Sequence, residues 1–142
     1  MTDNQTFHSD KAPAPVGRYP HARKVGNLLF LSGIGPRNPV DNSIPGLTLS
    51  PNGHYLTFDF EAQCHSVFQN VKSVLESCGA KWEHLVDVTV FLTDMERDFP
   101  VYNRIYADYF AQDPAPCRTT LGISSLPTPI AIELKCIAWM PD

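Results

Sequence analysis

The segment between Ile130 and Trp139 constrains the fold more than any other part of the chain, because apolar and charged side chains alternate along it. One set of alternate positions is entirely apolar and consists of Ile130, Ile132, Leu134, Cys136 and Ala138. The other set includes Glu133 and Lys135. Alternate residues of a β-strand share a face, so the pattern predicts a strand with one face on the core. The face that carries the carboxylate is then either exposed to water or part of an interface.

Two other segments show the period of an amphipathic helix. Apolar residues recur at helical spacing over 58–80, where Gly79 is a stop signal. The segment 99–110 has the same period, with Asp98 suited to the N-cap and Pro100 to the first turn. β-Rich segments between turn residues predict strands at 25–34 and 85–94 and two strands within 116–139, joined by a Pro-rich turn.

The predicted order β-β-α-β-α-β-β is typical of an α+β domain in which two helices cover one face of a mixed sheet. The chain is long enough for one domain, which we place at 16–142, after a polar, Pro-rich arm at 1–15 that is flexible or extended. The segment 35–55 is predicted to be a long loop, either functional or disordered. Because two helices cover only one sheet face, we expect a second subunit on the other face.

Charge and hydropathy exclude several classes of partner. The formal net charge is −4, and Lys and Arg do not cluster anywhere. Proteins that bind nucleic acid usually carry a basic stripe, so we expect no nucleic-acid partner. No apolar stretch is long enough to span a membrane, and the polar N-terminus lacks the order of a signal peptide, so a cytoplasmic location is expected.

The four cysteines form no CxxC pair and are expected to be reduced and mostly buried. Cys64 and Cys78 fall on one predicted helix, too far apart for a disulfide. The histidines lack ligand spacing, so no metal site is predicted. No Gly-rich phosphate loop or nucleotide fingerprint is present, and no cofactor is expected.

Arg118 and Glu133 lie in the two C-terminal strand patterns, and each has two interpretations. Glu133 is either a surface residue paired with Lys135 or Arg118, or a partly desolvated carboxylate at a subunit boundary. In the second case its raised proton affinity would suit proton transfer near neutral pH. Arg118 either forms an ion pair or clamps a substrate carboxylate with its planar guanidinium. The spacing alone does not decide between these interpretations.

The C-terminal segments RTT at 118–120, LP at 126–127 and IAIELKCIA at 130–138 resemble the signature of the reactive-intermediate deaminase family, also called RidA/YjgF. With the segments upstream, the similarity covers nearly all of residues 12–139. The resemblance implies a chorismate-mutase-like (YjgF-like) α+β fold. It also implies a homotrimer, either alone or paired into a hexamer, with active clefts between subunits.

The resemblance also implies roles for individual residues. The position of Arg118 holds the substrate carboxylate in this family, and the position of Glu133 directs the hydrolytic water. The positions that line the pocket correspond to Tyr19, Ser32, Gly33, Asn103 and Thr120. Many members have Cys where this chain has Thr120, so thiol-dependent behaviour is not expected of this chain, although a hydroxyl still donates a hydrogen bond.

Two segments, GRYPHARKVGN and SGIGPRNP, resemble those of the 2-aminomuconate deaminases of aromatic catabolism. They bring Arg18, His21 and Arg37 near the predicted cleft, although the two arginines could also be solvated loop charges and His21 a surface or packing residue. Together with Arg118, these groups indicate a small dicarboxylic enamine as substrate. The expected reaction is hydrolytic deamination of 2-aminomuconate to 4-oxalocrotonate with release of ammonia.

Three alternatives to this reaction stay open at the level of sequence. The first is a general deaminase that acts on enamines of the 2-aminoacrylate type. The second is a non-catalytic module that binds a metabolite or a partner protein through the same cleft. The third is an RNA-cleaving protein, which the acidic charge balance disfavours.

Overall fold

The computed structural model describes residues 4–141, which form one large sheet, one small sheet and two α-helices. In chain order the elements are β1 (Asn4–Phe7), β2 (Ala22–Val25), β3 (Leu28–Leu31), β4 (Thr48–Leu49), β5 (Tyr55–Thr57), α1 (Phe60–Ser77), β6 (Leu85–Leu92), α2 (Met95–Tyr109), β7 (Cys117–Gly122) and β8 (Ile132–Trp139).

The large sheet has six strands in the order β1-β2-β3-β8-β6-β7. All neighbouring strands are antiparallel except β6 and β7, which are parallel and are connected through α2. The predicted α+β class, with two helices on one face of a mixed sheet, is confirmed. The two C-terminal strands do not form a hairpin, however, because β6 lies between β7 and β8.

One face of β8 packs on the core, as the alternation in its sequence predicted. The apolar positions face α1 and α2 and are almost completely buried: Ile132, Leu134, Cys136 and Ala138. The side chains of Glu133 and Lys135 point to the opposite face, which no other layer of residues 4–141 covers.

Helix α1 begins and ends at the residues that its sequence indicates. The Asp59 carboxylate accepts the Ala62 N–H at 3.1 Å and caps the N-terminus. Gly79 has a positive φ of 80°, and the Ala80 N–H donates to the Leu75 carbonyl at 2.9 Å, which closes the C-terminus as a Schellman motif.

Helix α2 begins one turn earlier than the sequence predicted. The cap is Asp94, whose carboxylate accepts the Arg97 N–H at 3.1 Å, and the predicted cap Asp98 lies inside the helix. Asp98 is buried because the Arg97 guanidinium binds both of its oxygens, at 2.7 and 2.8 Å. Pro100 therefore occupies the second turn, where the missing N–H costs a helical hydrogen bond.

The predicted arm at 1–15 is partly built into the sheet. Residues 4–7 form the edge strand β1, and Ala12 and Pro13 are buried against the rest of the chain. An edge strand is held by backbone hydrogen bonds, so its side chains can be polar and give no signal of burial. Residues 1–3 of the predicted arm and residue 142 of the predicted domain lie outside the described range.

The predicted loop at 35–55 is anchored at its start and carries the short pair β4–β5 near its end. The buried Asn70 of α1 donates to the carbonyls of Gly35 and Arg37, each at 2.9 Å. Ser66, one turn earlier, donates to the Pro36 carbonyl at 2.8 Å. The first residues of the loop therefore have a defined position on α1.

The four cysteines are unpaired, as predicted, and three of them are buried. Burial raises the pKa of both Cys64 and Cys136 to about 12, which keeps these thiols neutral. Cys117 is exposed on β7. Within residues 4–141, neither helix is both long and apolar enough to cross a membrane.

Candidate active site

Glu133 lies on the uncovered face of β8, and its carboxyl group is half-buried. This burial raises the pKa of the carboxyl group above its ordinary value. Within the described range Glu133 forms no ion pair, either with Lys135 or with Arg118. The Lys135 ammonium instead donates to the Leu31 carbonyl. Among residues 4–141, no cation pairs with the charged form of Glu133.

Gly33 follows β3, and its backbone runs directly against the Glu133 carboxyl group. A Cβ atom at position 33 would lie 2.9 Å from Cδ, 3.0 Å from Oε2 and 3.1 Å from Oε1 of Glu133. The preceding Ser32 fixes this segment, since its N–H donates to the His21 carbonyl at 2.9 Å and its hydroxyl to the Pro20 carbonyl at 2.6 Å. The missing side chain at position 33 is therefore what admits the carboxylate.

A small cavity of about 50 Å³ lies beside the Glu133 carboxyl group. Tyr19 and Arg37 line it together with Gly33, and Thr128 lines it from the Pro-rich segment between β7 and β8. The Tyr19 hydroxyl accepts the N–H of Val16 at 3.2 Å. The structure thus brings four of the predicted site residues together. Thr128 was not predicted, and its position directly before the Glu133 strand was the only signal for it.

Arg37 approaches this cavity from the start of the long loop. Its guanidinium donates to the Ala14 carbonyl at 2.8 Å and to the Asn42 side-chain oxygen at 3.0 Å. Both acceptors are neutral, and Arg37 has no acidic partner among the described residues.

His21 lines a second small cavity, of about 30 Å³, together with Gly33 and Arg37. It is 7% exposed, and both ring nitrogens are engaged by the arm. Nδ1 accepts the Ser9 N–H at 2.9 Å, so Nε2 carries the proton and donates to the Pro13 carbonyl at 2.7 Å. His21 is therefore a buried packing residue that holds the arm against the sheet, and it has no donor left for a substrate carboxylate.

Arg18 does not line the Glu133 cavity, although its neighbour Tyr19 does. It is exposed and lines a separate, open depression together with Thr6 and His8. No hydrogen bond or ion pair fixes its guanidinium within the described chain. The structure does not bring Arg18 to Glu133.

Arg118 lies on β7 and points to the helix side of the sheet, because it pairs in register with the buried Val88 of β6. Its guanidinium lies over aromatic rings of α2, 4.6 Å from the Tyr106 centroid, 5.7 Å from that of Tyr102 and 5.8 Å from that of Phe99. Cation–π contacts of this kind hold a guanidinium in place without neutralising it.

The remaining two predicted residues belong to the same region as Arg118. Thr120 lies two positions further along β7, on the same side, and is half-buried. Asn103 is exposed on α2, next to Tyr102. The aromatic support of Arg118 by Tyr102 and Tyr106 was not predicted, although their spacing of four residues within a predicted helix indicates a shared face.

Apart from Arg18 and His21, the predicted site residues fall into two separate groups. We call Glu133 with Tyr19, Ser32, Gly33 and Arg37 the carboxylate half, and Arg118 with Asn103 and Thr120 the guanidinium half. Strand β6 separates the strands that carry Glu133 and Arg118. The two side chains also point to opposite faces, since Arg118 pairs with the core residue Val88 whereas Glu133 pairs with Phe91 on the other face. One small ligand cannot contact both halves of a single chain.

A metal centre has no obvious ligands in the described part of the chain. Over residues 4–141, no three His, Cys, Asp or Glu side chains converge in a way that could hold an ion. The groups that the two halves offer to a ligand are a carboxylate, guanidinium groups, hydroxyls and the side-chain amide of Asn103.

Comparison with known proteins identifies relatives over nearly the whole chain. The family model described as endoribonuclease L-PSP matches residues 9–140. A RutC family protein of Pyrococcus abyssi is 34% identical, over 95% of this chain and 96% of the relative. The chloroplastic Reactive Intermediate Deaminase A of Arabidopsis thaliana is 37% identical, over 94% of this chain and 65% of the relative.

Solved structures show the same fold. RidA from an Antarctic Psychrobacter species has a TM-score of 0.83 at 32% identity and covers 96% of this chain and 99% of its own. Escherichia coli TdcF, solved with bound serine, has a TM-score of 0.82 at 26% identity, with 96% of this chain and 99% of its own covered. These matches confirm the family that the sequence motifs indicated. The chain belongs to the endoribonuclease L-PSP family, also known as the RidA (YjgF/RutC) family.

Proposed function

We propose that this chain is a hydrolytic enamine and imine deaminase whose active site is assembled from two copies of the chain. The observation that carries the proposal is the separation of the two halves: Glu133 and Arg118 lie on opposite faces of one sheet. A second copy that supplies its guanidinium half to the carboxylate half of the first would complete the site. We propose a homotrimer as the assembly, in line with the family resemblance.

The uncovered sheet face supports this assembly. Large apolar side chains on it remain exposed in the single chain, with Leu28 at 40%, Phe30 at 36% and Trp139 at 48% exposure. Contiguous exposed apolar residues of this kind are typical of protein–protein contacts. Because Glu133 lies on the same face, a subunit that covers these residues would further desolvate its carboxyl group.

The proposed substrate is 2-aminomuconate, and the reaction follows from the chemistry of an enamine. Protonation at carbon converts the enamine into an imine with an electrophilic C=N bond. Water adds across this bond, and the resulting carbinolamine loses ammonia and becomes the ketone 4-oxalocrotonate. The conjugated substrate accepts and returns the electrons itself, so the reaction needs only water as a co-reactant.

Glu133 and Arg118 take distinct roles in this scheme. Glu133 would orient and deprotonate the water and then return the proton to the departing nitrogen. A carboxyl pKa raised by burial favours this exchange near neutral pH. Arg118 would hold the carboxylate beside the amine-bearing carbon, in the bidentate geometry that a guanidinium favours. The bound serine of the relative TdcF also combines a carboxylate and an amine on neighbouring atoms.

An absorbance assay with enzymatically generated 2-aminomuconate tests the proposal. Glu133→Gln should bind substrate and lose about 10²-fold or more in turnover, because general acid–base catalysis is removed. Arg118→Ala should lose about tenfold to hundredfold in kcat/KM, since a hydrogen bond to a charged group contributes about 1.5–3 kcal/mol. If both variants kept the wild-type rate, this site would not be the site of the reaction.

A general deaminase of reactive enamines is the second candidate, and it is favoured by the 37% identity to Reactive Intermediate Deaminase A. Equal kcat/KM for 2-aminoacrylate and 2-aminomuconate would support it. The name of the family model raises a third candidate, RNA cleavage. The net charge of −4 disfavours this activity, and nuclease activity that persists after ion-exchange purification in high salt would support it.

A further inference from the structure

Arg37 carries a positive charge that nothing in the described chain neutralises. Its two guanidinium contacts, with the Ala14 carbonyl and the Asn42 amide oxygen, both involve neutral acceptors. Hydrogen bonds to neutral oxygens fix the orientation of a guanidinium and leave its charge available. The group is therefore available to an anion that residues 4–141 do not supply.

The backbone of Arg37 is also fixed. The buried Asn70 of α1 donates from one amide nitrogen to the carbonyls of Gly35 and Arg37, each at 2.9 Å. The side chain is then held on one side by the arm and on the other by the long loop. A guanidinium fixed in this way loses little conformational entropy when it binds a ligand.

Arg37 and Glu133 line the same cavity without forming an ion pair. Burial is the cause of the raised pKa of Glu133, and no nearby cation lowers it. The two groups are therefore not in ion-pair contact, although both residues line the cavity. A ligand that receives water activated by Glu133 at one end could contact Arg37 at its other end.

Neither of the other two candidate cations has this combination of properties. Both nitrogens of His21 are engaged by the backbone of the arm. Arg18 is exposed and lines a different depression. Of the three groups that the sequence left open, Arg37 alone lines the Glu133 cavity with its guanidinium held by neutral acceptors only.

We propose that Arg37 is the binding site for the distal carboxylate of a dicarboxylic enamine, and that it selects such substrates over monocarboxylic ones. This inference rests on the proposed deaminase function, in which Arg118 of another copy holds the carboxylate next to the amine. Arg118 and Arg37 then bind the two carboxylates of the substrate, one at each end. The arm and the long loop contribute to specificity because they position Arg37.

The kinetic test compares 2-aminomuconate with the monocarboxylic 2-aminoacrylate. Arg37→Met should lower kcat/KM for 2-aminomuconate by about tenfold to hundredfold, as expected for loss of a charge-assisted contact, and should change kcat/KM for 2-aminoacrylate by less than about twofold. Arg37→Lys keeps the charge and should recover part of the loss. The matched control Arg18→Met, which removes a neighbouring charge outside the cavity, should leave both substrates unaffected.

A binding measurement separates this inference from the reaction itself. Isothermal titration calorimetry with cis,cis-muconate, an unreactive dicarboxylate, should show binding to the wild type that Arg37→Met weakens by at least about tenfold. Binding of the monocarboxylate sorbate should be the same for both proteins. If neither enamine is turned over but muconate binding depends on Arg37, the proposed reaction fails and the carboxylate site stands.

Other outcomes overturn the inference. Turnover that falls equally for both substrates in Arg37→Met, or that stays unchanged for both, would show that Arg37 does not read the second carboxylate. Absence of muconate binding to the wild type would have the same meaning. Thermal unfolding of each variant identifies a loss of structure, and Arg37→Lys provides the test if Arg37→Met does not fold.

Discussion

At the scale of single residues, the contact between Gly33 and Glu133 determines where the proposed proton-transferring group lies. The backbone at Gly33 passes so close to the carboxyl group that no side chain fits between them. Glu133 is half-buried at this contact, and burial raises the pKa of its carboxyl group. The absence of a side chain at position 33 therefore leaves the space that the carboxyl group occupies.

Gly33→Ala is expected to lower turnover while the fold is kept. The added Cβ would meet only the end of the flexible Glu133 side chain, 2.9 Å from its Cδ, so the carboxyl group would shift and the backbone would not. A displacement of about 1 Å can cost about 10²-fold in rate, and we expect a loss of at least about tenfold with little change in Tm. Gly122→Ala, whose Cβ would meet Met95 atoms at 3.7 Å, is the control that should keep full activity.

The pH dependence of stability provides a test of the Glu133 environment. Because burial raises the pKa of this carboxyl group, the folded state binds its proton more tightly than the unfolded state does. The unfolding free energy of the wild type should therefore fall as the pH rises from below the ordinary glutamate pKa through the raised value. The Glu133→Gln variant has no carboxyl group at this position, so its unfolding free energy should not show this fall with rising pH.

Chemical denaturation at several pH values and one protein concentration measures the effect. Glu133→Gln should be more stable than the wild type at neutral pH, and the difference should shrink as the pH falls into the range where glutamate is protonated. Glu76→Gln, at an exposed position of α1, is the control for the loss of one glutamate carboxyl group. A difference that grew toward low pH would contradict the assigned direction of the Glu133 shift.

At the scale of secondary-structure elements, α2 shows how local signals can mislead. Both Asp94 and Asp98 are suited to an N-cap, and Pro100 favours the later start. The structure uses Asp94, because Asp98 is drawn inward by the Arg97 guanidinium and is 1% exposed. Which aspartate caps the helix therefore depends on packing that the local sequence does not show.

Asp94→Ala should destabilise the protein by about 1 kcal/mol, the usual effect of losing an N-cap side chain. Asp94→Ser should keep most of the stability, since a hydroxyl can accept the same Arg97 N–H. Guanidinium denaturation at a fixed protein concentration is the measurement. Asp108→Ala, at an exposed position near the other end of α2, should be neutral or slightly stabilising, because an acidic residue there opposes the helix dipole.

The sequence predicted the elements whose side chains are buried in the core, and it did not predict the strand whose side chains are exposed. The two helices and the core face of β8 were predicted because their apolar residues recur at a fixed period. The edge strand β1 was missed because its NQTF sequence is polar and its stability comes from backbone pairing with β2. Pairing between distant strands leaves no local trace in the sequence, which is also why β7 and β8 looked like a hairpin.

At the scale of the whole molecule, the large sheet separates the carboxylate half from the guanidinium half. The two halves lie on different strands and on opposite faces of the sheet. A shared site then requires that each site take Glu133 from one copy and Arg118 from another. The exposed apolar residues of the uncovered face indicate where such copies meet. The proposed activity and the proposed assembly are therefore tested together by subunit mixing.

Coexpression of Glu133→Gln and Arg118→Ala chains should raise the activity above that of either variant alone. In random mixed oligomers, about one quarter of the sites would receive an intact Glu133 from one chain and an intact Arg118 from the other. The rate of 2-aminomuconate loss by purified mixed oligomers is the measurement. In the control, the Glu133→Gln chain is coexpressed with a chain that carries both substitutions. Neither chain then has Glu133, so the activity should not rise. Mixed oligomers without recovered activity would place the whole site within one chain.

The sequence by itself determined the local features of this protein: the two helices, the core face of β8, the family and the pair Arg118 and Glu133. These follow from periodicity and motifs, which depend on neighbouring residues along the chain. Only the tertiary structure decided that the two key side chains lie on opposite faces, that His21 is buried and that Arg37 reaches the Glu133 cavity. The reason is physical: facing and proximity depend on strand order, on register and on where the arm and the long loop pack, and these are contacts between residues far apart in the chain.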